Sequence, residues 1–123
     1  MLFGNAVPAK ASSRMLTVGE NIVRSAALVE MAFGGITTRL WDDPLEWTLP
    51  ETLNGRSSIM AYLHEVEATR LHGFGFFRSD EDLGRCIPAP RDLRTICDIL
   101  LGTLASAELY HGRALVLFEL QSR

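Results

Sequence analysis

The longest expected helix limits the fold more than any other feature. From Asp92 to Leu120 no proline interrupts the chain, and Pro88 and Pro90 stand just ahead of it. A proline is tolerated before a helix but not within one. Placed at about 100° per residue, Ile96, Leu100, Thr103, Leu104, Ala107, Ala114 and Phe118 fall on one stripe. A helix of that length with so broad an apolar face needs other helices to cover it, so the expected class is all-α.

Two more long helices fit the same pattern. Thr17 and Glu20 have the spacing of a capping box, in which the hydroxyl accepts from the backbone N–H three residues on and the carboxylate reaches back. The helix they open is expected to run to Phe33 and to stop at Gly34-Gly35. Its stripe is Val18, Ile22, Val29 and Phe33, with Ser25 inside it and Glu30 at its edge. The polar stretch Trp41-Asp42-Asp43-Pro44 breaks the helical pattern. Thr48 and Glu51 repeat the capping-box spacing around Pro50 and suggest a short helical turn. Ser57 or Ser58 then caps a second long helix ending near His72, with Ile59, Tyr62, Leu63 and Val66 as its stripe, Glu67 at the border and His64 further out. Ser79-Asp80-Glu81-Asp82 opens a further turn, its acidic residues favoured by the helix dipole. No strand-like alternation is apparent. The expected organisation is a loose lead-in over residues 1–14 and one helix-bundle domain over 15–123.

Composition excludes several classes. The chain has 123 residues, 47% of them hydrophobic and 22% charged, enough to bury a core and too apolar for a disordered chain. The net charge is −3 and Lys10 is the sole lysine, so there is no basic footprint for nucleic acid. No apolar run reaches the roughly 18 residues that cross a bilayer. Residues 1–14 lack the apolar centre of a signal peptide. Cys86 and Cys97 have no metal-binding spacing and read as reduced thiols. A cytoplasmic location, without membrane or nucleic-acid partners, is expected.

The candidate site lies on the last helix. His111 falls within its stripe, one turn after Ala107, with Tyr110 on the flank and Glu108 on the other edge. A buried histidine requires a partner for at least one ring nitrogen, and Ser25, Tyr110, Tyr62 and Glu67 are the candidates. Glu108 and His111 have the Glu-x-x-His spacing of di-iron bundles, but that motif occurs once here and such sites use it twice.

The order of these features resembles the DinB/YfiT-like superfamily of metal-dependent helix-bundle proteins. Glu108-Leu109-Tyr110-His111-Gly112-Arg113-Ala114 is similar to that family's closing segment. Ser79 to Arg85 followed by Pro88 is similar to its link into the last helix, and Leu28-Val29-Glu30 to the segment after its first metal histidine. The resemblance covers Thr17 to Leu120. It implies an up-down four-helix bundle, usually dimeric, with three inward histidines holding a divalent metal such as zinc, nickel or iron. In some members that metal activates a low-molecular-weight thiol for transfer chemistry.

Carried over residue by residue, the three metal positions fall on Ser25, Ala107 and His111. Only His111 has a side chain that ligates such metals well. The expectation is therefore a small-ligand-binding protein with a degenerate metal site and no bound cofactor, its pocket drawn from His111, Ser25, Tyr110, Glu108, His64 and Glu67. One alternative is a metal-dependent transferase or hydrolase recruiting Glu30, His64, Glu67 or Glu108 in place of the lost histidines. Another is an oligomeric scaffold with no small-molecule role. The family's first helix corresponds only to Met1–Arg14. An open edge follows, and with it a homodimer, expected to use Val18, Ile22 and Leu28 with Ile99 and Leu117.

Overall fold

The computed structural model describes residues 16–47 and 55–122. The proposed lead-in and the capping-box spacing at Thr48 and Glu51 lie outside the described residues. Those described form a mostly helical fold. In chain order they comprise α1 (Val18–Thr38), a short α2 (Pro44–Trp47), α3 (Arg56–Phe74), a 3-10 turn (Asp80–Gly84), strands β1 (Cys86–Pro88) and β2 (Leu93–Thr95), and α4 (Ile96–Gln121).

The capping box at the start of α1 forms as the spacing predicts. Glu20 N–H donates to the Thr17 hydroxyl at 3.1 Å, and Thr17 N–H donates to Glu20 Oε1 at 2.9 Å. The far end departs from expectation, because α1 continues through Gly34-Gly35 to Thr38. Gly35 is there for clearance: a Cβ at this position would lie 2.1 Å from the Trp41 ring. The helix stops instead at Arg39, whose left-handed backbone (φ 65°) turns its N–H onto the Gly35 carbonyl. Gly73 does a similar job late in α3, where a Cβ would lie 2.2 Å from the Phe33 ring.

The segment before α4 corrects the sequence reading. Residues 92–95 are not helical. Cys86–Pro88 and Leu93–Thr95 pair as an antiparallel hairpin, with Ile87 opposite Arg94. Three-residue strands are too short to show an alternating pattern. Ala89 N–H closes the turn on the Asp92 carbonyl at 2.8 Å. Thr95 then caps α4, accepting from Asp98 N–H at 3.0 Å.

Helix α1 occupies the middle of the fold. Both α3 and α4 pack on it, and they have little contact with each other. Two cores result. Val23 and Ala26 of α1 meet Tyr62 and Val66 of α3, with Val29, Ile59 and Leu63 around them. Ala32 and Ile36 of α1 meet Ile87 of the hairpin and Ile96 and Ile99 of α4, closed off by Trp41, Phe77 and Leu83. The Trp41 indole N–H donates to the Pro88 carbonyl at 3.2 Å and ties the loop after α1 to the hairpin.

The α3 stripe read from the sequence is the packed face: Tyr62 and Val66 are buried, Ile59 and Leu63 half-buried. The α4 stripe is only partly so. Ile96, Ala107 and Ala114 are buried, and Leu100 and Thr103 half-buried. Leu104 and Phe118 lie in solvent. The physical reason is that α4 is apolar nearly all the way round. Periodicity alone then cannot single out the side that meets α1. The observed inner face is rotated to run through Ile96, Ile99, Thr103, Ala107, Tyr110, Ala114 and Leu117.

Candidate functional site

Ser25 and Ala107 come together. The Ser25 hydroxyl, half-buried on α1, donates to the Ala107 carbonyl oxygen at 2.8 Å across the helix interface. Both residues are small, which allows α1 and α4 to approach closely at this height.

His111 does not join them. Its side chain is 52% exposed, and its Nδ1 lies 3.7 Å from Glu108 Oε1 on the same helix. The expectation of a buried His111 is thus corrected. On a helix Ala107 and His111 are separated by about 40° of rotation, and the face that meets α1 is centred on the far side of Ala107. Tyr110 is half-buried and carries the Arg113 guanidinium over its ring at 5.2 Å. Glu108 is exposed.

His64 and Glu67 are also exposed, on α3, away from α4. Glu67 is engaged by the Arg70 guanidinium in a two-pronged contact at 2.7 and 3.0 Å. That hydrogen bond holds the Glu67 carboxyl below its usual range. Of the six candidate residues, the structure joins only Glu108 with His111, and Ser25 with neither.

A metal is a poor fit to the positions carried over from the resemblance. Ala107 has no donor atom, the Ser25 hydroxyl is spent on a backbone carbonyl, and His111 points outward. Among the described residues no three His, Cys, Asp or Glu side chains come together.

One polar contact that the sequence reading separated lies between α1 and α3. The Tyr62 hydroxyl, on a side chain only 4% exposed, donates to Glu30 Oε1 at 2.7 Å. Burial first, then this hydrogen bond and the charges of Glu30, Asp43 and Glu65, push the Tyr62 hydroxyl far above its ordinary range. It remains a donor at any physiological pH. Arg24 pairs with Asp43 at 3.0 Å nearby. The available signal was Glu30 at the edge of one stripe and Tyr62 within another. Asn21 is buried near the start of α1. Its amide donates to the Thr17 carbonyl at 2.9 Å, and its Oδ1 has no partner among the described residues.

An open depression of about 520 Å³ lies between the end of α3 and the 3-10 turn, lined by Gly75, Phe76, Arg78, Asp82 and Arg85. Asp82 accepts from Arg78 N–H at 2.7 Å, which holds its carboxyl low. Asp82 also faces Arg85 at 3.7 Å, and Arg78 meets it through its backbone N–H, so the lining carries two guanidiniums to one carboxylate.

Helix α4 leaves much apolar surface in water, Leu109, Val116 and Leu120 included. Leu101, Leu104, Leu115 and Phe118 are 60%, 59%, 50% and 60% exposed. They lie beside the inner face, about 100° round the helix from it. No described helix is long and apolar enough to cross a membrane. Comparison with protein-family models, curated proteins and solved structures returns no match.

Proposed function

We propose that the protein is a self-associating helical subunit, a homodimer whose interface is the outer face of α4. The single observation that carries this reading is the exposure of Leu101, Leu104, Leu115 and Phe118 on one side of a helix already packed on its other side. Four large apolar side chains half or more open leave on the order of 400 Å² in water, the size at which a patch marks an interface. Two such faces pressed together approach the buried area of specific protein contacts once their flanks are included, roughly 1,200 Å² or more. Of the surface first expected for a dimer, Ile99 is buried in the chain's own fold, and Val18, Ile22, Leu28 and Leu117 are half-buried. Two free cysteines, Cys86 and Cys97, suit a reducing compartment, and the cytoplasm is the setting proposed.

The paired substitution Leu104→Glu with Leu115→Glu tests this reading. It places two carboxylates on exposed positions of α4, so helical content by circular dichroism should persist while the protein elutes as a monomer. An unchanged elution volume would remove the outer face from the interface.

A second reading is a DinB-like bundle with a degenerate site for a small ligand. The Ser25–Ala107 contact favours it, because it joins two positions where that family's ligands would converge. The outward His111 and its exposed Glu108 neighbour weigh against it. Elemental analysis of the purified protein tests the metal-dependent alternative, since neither of these two readings calls for a bound metal. No stoichiometric zinc, nickel or iron is expected, and one equivalent lost in His111→Ala would put the metal-dependent alternative first.

A further inference from the structure

The outer face of α4 has an internal order that specifies how two copies would meet. Cys97, Leu101, Leu104, Glu108, His111, Leu115 and Phe118 are separated alternately by four and three residues, the spacing of a coiled-coil seam. The pattern spans almost all of α4, and each of these residues is exposed. Apolar residues occupy both ends, and the only charged members, Glu108 and His111, sit at the middle of the helix.

Resting on the homodimer reading above, we propose that two α4 helices pair antiparallel, with His111 of each copy against the partner's Glu108, so that association is tightened by protonation of His111. The register is dictated by the seam. Setting His111 opposite the partner's Glu108 also sets Leu115 opposite the partner's Leu104, and Phe118 opposite the partner's Leu101. Every apolar residue of those layers then meets an apolar residue, and both polar residues meet their opposites. The parallel arrangement sets Glu108 against the partner's Glu108 and His111 against the partner's His111, like against like, which an interface penalises. Antiparallel α4 helices also oppose their dipoles.

Among the described residues, the charged group recorded against His111 is a carboxylate. On its own helix Glu108 is 3.7 Å away. Arg113 is turned onto the Tyr110 ring, and Asp98 and Glu119 stand two turns or more along the helix. The polar contact that α1 makes to this stretch of α4 comes from the uncharged Ser25, on the Ala107 carbonyl. The α1 charges Arg24 and Glu30 are engaged with Asp43 and Tyr62 on the α3 side. Glu20 serves the cap at the start of α1, and Arg94 of the hairpin reaches the Asp98 carbonyl near the other end of α4. In the dimer His111 gains a second carboxylate, which favours its protonated form. The added stability is present at low pH, where the imidazole is protonated, and lost as pH rises and the proton leaves.

Sedimentation equilibrium of the full chain near pH 6 and near pH 8 tests the proposal. Two symmetric pairs should tighten association on the order of tenfold at the lower pH. E108K alone and H111E alone should each weaken the dimer, by setting like charges across the axis. E108K/H111E should restore it and abolish the pH dependence, and circular dichroism of all three should match the parent. Oxidation supplies an independent check, because antiparallel pairing keeps the two copies of Cys97 apart. A dimer insensitive to pH, a double variant as weak as the singles, or a Cys97–Cys97 cross-link would overturn the register while leaving the homodimer standing. A monomer at every concentration would overturn both.

Discussion

Helix α4 has two faces of similar composition and opposite fate. The inner face carries Ile96 and Ile99, sealed under the hairpin and α1, and further along the small, buried Ala107 and Ala114; at Ala107 α1 comes close enough for Ser25 to reach the backbone carbonyl. Along the outer face Leu101, Leu104, Leu115 and Phe118 are just as apolar and touch little. The difference shows that hydrophobicity does not by itself place a residue in a monomer's core. Residue size and the shape of the neighbouring helix decide which apolar face is used within the chain and which is left for another surface.

That contrast can be broken from the inner side first. Ile96 is fully buried, and Ile96→Ala should lower stability by about 3 kcal/mol through lost burial and a cavity that the hairpin cannot collapse into. Urea denaturation monitored by circular dichroism would measure it. Ala114→Leu probes the same face by overfilling. Ala114 is 3% exposed, so the larger side chain should push α1 and α4 apart and lower stability by about 2 kcal/mol. A neutral result would mean that the two helices are less closely packed at that end than described. Leu104→Ala is the smallest change. In a monomeric Leu115→Glu background it should alter stability by no more than about 0.5 kcal/mol, since its side chain already stands in water. A loss comparable to that of Ile96→Ala would mean that Leu104 belongs to the chain's own core.

Local signals were the legible part of the fold. The Thr17–Glu20 box depends only on residues three apart and formed as spacing predicted. The stripe of α3 was legible because its first half sets Ile59, Tyr62, Leu63 and Val66 among the polar His64, Glu65 and Glu67. Where the outcome depended on distant residues, the sequence misled. Gly34-Gly35 read as a stop, but the Trp41 ring makes Gly35 an interior necessity. The strands at Cys86–Pro88 and Leu93–Thr95 are held by Ile87 reaching the core, which no three-residue pattern announces.

The candidate site was the least legible, for the same reason as the α4 stripe. An all-round apolar helix offers two seams one residue apart, and His111 belongs to the outer one. The four-and-three spacing from Cys97 to Phe118 was present in the sequence as a signal. Only the packing of α1 on the neighbouring seam shows that it is free.

The claim that the outer face of α4 joins two copies is tested most directly by the mass of the unmodified protein in solution. Light scattering across a micromolar concentration series should give a mass rising from the 13.6 kDa of one chain toward twice that value. A mass fixed at 13.6 kDa throughout would contradict it, and would mean that the exposed leucines and Phe118 do not hold two copies together.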